Sequence, residues 1–214
     1  MNITSLKIPV KSRIIFLGLL TILFFAYRYP YSIQKGPYSM HMWRQADCLS
    51  FAKNYLENGF QFFKPSVHCT TSDNNNQSVS EFPIIYYLVA LIWKVFGQHE
   101  FIFRLINMII VFIGLYYLFK LSYSILSDHF WSYYIPLFLF TSPILVFYSN
   151  NFLMNAPSFG LVLTGLYHYW FFMWFFWSPI SPILKWLQKA SSESSLWICL
   201  LYTSDAADEL DGVD

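Results

Sequence analysis

Apolar stretches recur along the chain, each bounded by charges or turn residues, and their lengths decide what they can be. Ile14 to Tyr27 carries no charge, follows Lys7, Lys11 and Arg13, and is closed by Arg28. Fourteen helical residues reach only about 21 Å at 1.5 Å each. The flanking Arg13 and Arg28 can snorkel, and Tyr27, Tyr29 and Tyr31 can sit at an interface, which extends the segment to membrane thickness. The stretch Phe25-Ala26-Tyr27-Arg28-Tyr29 offers no small-x-small cleavage pattern, so an uncleaved first transmembrane helix over 14–30 is expected.

Residues 28–82 are polar enough for a loop with one helix inside. Ala46, Leu49, Ala52 and Leu56, with Phe51 and Tyr55 beside them, recur at three- and four-residue steps, and Asn58-Gly59 is a stop signal. This stripe fits a short helix lying on a membrane surface. The tract 70–80, with Asn74-Asn75-Asn76, has no apolar period and reads as a mobile loop. Pro83 to Phe96 is apolar but short and carries Lys94, which suits an interfacial or re-entrant helix. Three longer segments follow: Phe101 to about Ile125, Trp131 to Tyr148 with Pro136 and Pro143 tolerated as kinks, and Pro157 to Trp177.

Parity orders these segments. With the N-terminus in the cytoplasm, crossings at 14–30, 101–122, 131–148 and 157–177 leave Lys7, Lys11, Arg13, Lys120, Lys185 and Lys189 inside, as the positive-inside rule requires. A full crossing by 83–96 would put the last three outside. The expected architecture is an all-α polytopic membrane protein with about four transmembrane helices. Its long external first loop, about 31–100, carries juxtamembrane helices, and Ser149 to Pro157 forms a second loop on the same face.

Composition supports this picture. Hydrophobic residues make up 56% of the 214 and charged residues only 12%, against roughly 25% charged in soluble domains. Residues 129–184 contain no Asp, Glu, Lys or Arg at all. So few charges could not cover a soluble globule. No Walker loop, dinucleotide fingerprint or basic nucleic-acid patch occurs, so no nucleic-acid partner is expected.

Five of the twelve acids fall in the last ten residues, and just before and among them stands Cys199 to Glu209, CLLYTSDAADE. This run resembles, letter for letter, the frame translation of an adapter used in sequencing libraries. Residues 199–214 are therefore expected to be a non-native tail. Residues 1–198 are then expected to be the N-terminal part of a longer protein, inactive by itself.

Candidate chemistry gathers in the two external loops. Trp43-Arg44-Gln45-Ala46-Asp47 places a base and an acid three residues apart on one helix face, where an i, i+3 ion pair is the structural alternative. Glu81-Phe82-Pro83 puts a second carboxylate where the loop returns to the interface. Tyr148-Ser149-Asn150-Asn151 and Asn155 supply polar groups from the second loop. Asn155 also suits an N-cap, with Pro157 just inside the helix. Cys48 and Cys69 share the first loop, where an oxidising compartment would permit a disulfide. His41 and His68 lack metal-ligand spacing and read as surface residues.

The order of Asp47, Glu81-Phe82-Pro83, Tyr86-Tyr87, Phe96-Gly97 and Arg104 resembles the GT-C membrane glycosyltransferases over about residues 10–177. The likeness is nearest to bacterial aminoarabinose (lipid A) transferases and protein O-mannosyltransferases. It implies sugar transfer from a polyprenyl-phosphate carrier to an acceptor on the external face of the bacterial inner membrane. Asp47 matches the family's first-loop acid and is the candidate general base. Arg44, Gln45, Tyr86, Tyr87, Asn151 and Asn155 are candidate substrate-binding residues, with Arg44 suited to offsetting charge on the departing phosphate. Glu81 matches a glutamate that helps hold a divalent metal ion in the aminoarabinose transferases. Asn155 stands where many members carry an acid, and an amide cannot take a proton. A non-catalytic membrane subunit, or a flippase binding the same lipid-linked sugar, is the alternative.

Overall fold

The computed structural model describes residues 8–67, 82–174 and 176. The chain divides into two compact units, Met1–Tyr167 and His168–Asp214. In the second, residues 168–174 are helical. The first unit is helical, without a strand among the described residues: α1 Val10–Ala26, α2 Tyr29–Ser32, α3 Met42–Glu57, α4 Ile84–Phe96, α5 Glu100–Leu126, α6 His129–Phe140 and α7 Pro143–Ser149. Residues 155–167 form a further helical run.

Two expected spans take a different form. The helix expected over 14–30 begins at Val10 and stops at Ala26. Arg28 adopts φ 54°, a left-handed conformation that no helix continues through, and α2 restarts with Pro30 in its first turn. The segment 131–148 is not one kinked helix but two, α6 and α7, bent by 70°. Pro136 is accommodated within α6, whereas Pro143 lies in the first turn of α7, where its missing N–H costs nothing. Among the described residues, α5 is long and apolar enough to cross a membrane, and α6 with α7 meets that test only as a bent pair.

The short helix expected within 28–82 forms as α3, with its stripe rotated. α3 ends at Glu57 with Asn58 as C-cap, and Gly59 takes φ 90°. Its buried residues are Gln45, Cys48, Phe51, Ala52, Asn54 and Tyr55, while Ala46 is exposed. The larger Phe51 and Tyr55 bring the most apolar area to α4, which presents Ile85, Tyr86, Val89, Ala90 and Trp93. The expected short helix at 83–96 forms as α4, 13 residues long and about 20 Å by its rise. Gly97 at φ 88° ends it, and the Trp93 indole donates to the His99 carbonyl at 2.8 Å.

α5 meets the 155–167 run backbone to backbone. A Cβ on Gly114 would lie 2.5 Å from the Gly160 carbonyl oxygen, and one on Gly160 would lie 2.7 Å from that of Ile110. Only two glycines permit that approach, a device common where helices pack inside membranes. Across the bundle, Phe119 of α5 stacks on Phe16 of α1 at 4.5 Å and on Tyr133 of α6 at 5.5 Å.

Candidate functional site

On α3, the residues nominated from the sequence fall on different faces. Arg44 is exposed and Asp47 partly exposed, while Gln45 between them is fully buried. A helix advances about 100° per residue, so positions 44 and 47 share a face that 45 leaves. The Gln45 amide is committed to the preceding loop. Its Nε2 donates to the carbonyls of Tyr38 and Met40, each at 2.8 Å, and its Oε1 accepts from the Tyr38 N–H at 3.4 Å.

Tyr86 and Tyr87 also part company. Tyr86 is 1% exposed, stacks on Phe51 at 5.3 Å, and has its hydroxyl 3.3 Å from Cys48 Sγ. Tyr87 is half-buried and packs edge-on against Tyr55, Phe60 and Phe62. Tyr55 donates to the Phe62 carbonyl at 2.9 Å. Burial, and secondarily Tyr87, pushes the Tyr55 phenol above its ordinary value.

In the second loop Asn151 is buried, with Oδ1 accepting from the Phe152 N–H at 2.6 Å. Asn155 is exposed and begins the helical run rather than preceding it. The expected cap position therefore falls on Met154, whose carbonyl accepts from Ser158 N–H at 3.0 Å. Glu81, His68, Cys69 and the tract 70–80 lie outside the described residues, as does the tail 199–214. No group of three or more His, Cys, Asp or Glu able to hold a metal occurs among the described residues.

The centre that joins the two loops is Arg104, which entered the sequence reading as the last of the motifs that carry the family resemblance. It is fully buried near the start of α5. One terminal nitrogen donates to the carbonyls of Ser32 at 2.9 Å and Asn150 at 3.2 Å, and the other to that of Gly36 at 2.7 Å. The guanidinium carbon lies 4.4 Å from the Phe152 ring centroid and 4.9 Å from that of Tyr38. None of these partners is a carboxylate, and Nε has no hydrogen-bond partner. Asn107, one turn on, donates to the Asn151 carbonyl at 2.8 Å. Since Gln45 grips Tyr38, and Arg104 of α5 meets both the Tyr38 ring and the Asn150 carbonyl, α3 is linked to the second loop through Tyr38 and Arg104. Apart from that motif order, a charge at the edge of an apolar run was the only signal for this in the sequence.

Comparison with protein-family models, curated proteins and solved structures gives no match to this chain.

Proposed function

We propose that the protein is a GT-C-type membrane glycosyltransferase of the bacterial inner membrane, transferring a sugar from a polyprenyl-phosphate carrier to an acceptor on the external face. The observation that carries this reading is the link between the two loops through Gln45, Tyr38, Arg104 and Asn150. A transferase working at a membrane boundary needs its first-loop acid held in fixed relation to the groups that bind the carrier.

In this reading Asp47, partly exposed on α3, takes the proton from the acceptor hydroxyl as that oxygen attacks the anomeric carbon. The bond from that carbon to the carrier phosphate breaks, and Arg44 offsets the charge left on the phosphate. Gln45 and Asn151 position loops, the Gln45 amide and the Asn151 side-chain oxygen being occupied by backbone groups. Glu81 and a divalent cation belong to what the family resemblance implies, and no step here passes through them.

Sugar transfer is measured in membranes of cells expressing the protein from its native gene, alongside Asp47→Asn. The expected result is a fall in transfer of at least about a hundredfold, as for loss of a general base, with carrier binding retained. Undiminished transfer in Asp47→Asn would remove the assignment. Carrier binding without any transfer by the unaltered protein would favour the subunit or flippase alternative.

A further inference from the structure

A polar cavity of about 160 Å³ lies where the end of α3 meets the turn that follows it. Asn54, Tyr55, Asn58, Gln61, Lys64 and Ser66 contribute to its wall, and none of the six was nominated from the sequence as a binding residue. The space equals the liquid-volume share of about five waters, which is the scale of a single sugar ring. Two of the six build its floor. Asn54, 3% exposed, donates from Nδ2 to the Ser66 carbonyl at 2.7 Å and accepts at Oδ1 from Asn58 Nδ2 at 3.3 Å. Tyr55, equally buried, donates to the Phe62 carbonyl at 2.9 Å. Gly59, at φ 90°, turns the chain between α3 and the segment so fastened.

The other groups of the wall remain for a ligand. Among the described residues, the Gln61 amide, the Lys64 ammonium and the Ser66 hydroxyl have no hydrogen-bond or ion-pair partner. Amides and hydroxyls both donate and accept, as sugar hydroxyls do. The last carbonyls of a helix are likewise open to donors from outside it. Lys64 adds a positive charge at an exposed position. Glu57, the acid next to Asn58 in the chain, lies 3.6 Å from Lys53.

We infer that this cavity binds the ring of an acidic sugar, of the uronic acid class, with its hydroxyls on Asn58, Gln61 and Ser66 and its carboxylate on Lys64. The inference stands on the cavity alone and does not rest on the transferase reading. Asn54 and Asn58 share the helix face of Asp47, about 10 and 16 Å further along the axis of α3. A single ring held there does not reach Asp47, so the site is separate from the proposed general base.

The full chain, in a detergent without a sugar head group, is titrated with glucuronate, with glucose and with acetate. Binding is read by saturation-transfer NMR on the ligand protons. Glucuronate is expected to saturate with a Kd on the order of 1 mM, and acetate to show no saturation in the same range. Glucose, lacking the charge contact, is expected to bind about fivefold more weakly than glucuronate. Two variants locate the site, both at exposed positions where the fold tolerates change. Lys64→Glu is expected to weaken glucuronate about tenfold while leaving glucose within about twofold. Gln61→Trp, which fills the cavity, is expected to abolish saturation by both sugars. No saturation by glucuronate, equal binding of acetate or of glucose, or unchanged glucuronate binding in both variants would overturn the inference. If one variant fails to fold, the other variant and the three-ligand comparison still decide it. The assay contains no sugar donor, so its outcome and that of the transfer assay are independent.

Discussion

Two apolar clusters in the unit ending at Tyr167 are held together by different means. The first joins α3, α4 and the start of α5 around Phe51, Tyr86, Trp93 and Phe103. Its buried polar side chains donate outward to loop carbonyls: Gln45 to Tyr38 and Met40, Asn54 to Ser66, Tyr55 to Phe62 and Trp93 to His99. The second joins α1, α5 and the α6–α7 pair around Phe16, Leu115, Phe119 and Phe140. It relies on stacked rings and, nearby, on the two-glycine contact between α5 and the 155–167 run. Hydrogen bonds fasten irregular loop backbone to helices in one region, while in the other ring stacking and close backbone approach dominate, with few polar ties such as the Tyr29 hydroxyl to the Val146 carbonyl. The first should therefore yield to loss of polar groups and the second to added volume.

The largest effect is expected at the glycine contact. In Gly160→Leu, atoms from Cβ outward would have to enter space 2.7 Å from a backbone carbonyl, where no side-chain rotation can relieve the clash. Overpacking of that kind costs about 3 kcal/mol, read as loss of the cooperative thermal transition in detergent. Gly114→Ala should act in the same direction. A Gly160→Leu protein with an unchanged transition would show that the contact between the two helices is not what holds this region.

Arg104 stands at the border of the two regions, and its removal should cost less than the glycine change. Arg104→Met removes a buried charge, which is favourable, but strips hydrogen bonds from the carbonyls of Ser32, Gly36 and Asn150. The balance is a loss of about 2 kcal/mol. Hydrogen exchange should rise first at residues 32–38 and 149–152. Faster exchange confined to α1 and α5 instead would place Arg104 wholly in the second region.

The contrast also explains what could be read from the chain. α3 and α4 were legible because an amphipathic period closed by Asn58-Gly59, and a short apolar run from Pro83 to Phe96, are local signals, and local signals survive folding. The rotation of the α3 stripe was not legible. Gln45 and Asn54 are buried because loop carbonyls some distance along the chain satisfy them. In the bundle the error ran the other way. The apolar run 131–148 has the composition of one span, yet Thr141-Ser142-Pro143 lets it fold back by 70°. Composition reports burial without reporting direction. At the candidate site, Arg44 and Asp47 could be placed on one face by spacing alone. The role of Arg104 depends on Ser32, Gly36 and Asn150, which no local pattern connects to it.

A smaller effect separates position 45 from its neighbour. Gln45→Leu keeps roughly the side-chain volume but leaves the Tyr38 and Met40 carbonyls without their donor, at a cost of about 1–2 kcal/mol. Asp47→Asn, on the partly exposed face, should stay within about 0.5 kcal/mol of the parent. Thermal melts of the two variants side by side check both values. Equal losses would mean that α3 does not distinguish a fastening face from a working face.

The smallest effect belongs to Tyr55, and it is a dependence on pH. The phenol donates to the Phe62 carbonyl at 2.9 Å and lies against α4, and burial raises its pKa above the ordinary tyrosine value. The neutral form is the one the fold prefers. Well below pH 10 the phenol is protonated whether the chain is folded or not, so it adds no slope to stability there. As pH rises past 10 the unfolded chain gives up this proton first, and stability declines until the folded phenol also titrates. Tyr55→Phe should lose about 1 kcal/mol at neutral pH with the hydrogen bond, and should melt with a shallower fall between pH 9 and pH 11 than the parent. Hydrogen exchange over α3 and α4 would assign that slope to the first region. An identical slope in Tyr55→Phe would show that the alkaline loss arises from other tyrosines, and that polar fastening of the 60–64 loop contributes nothing to it.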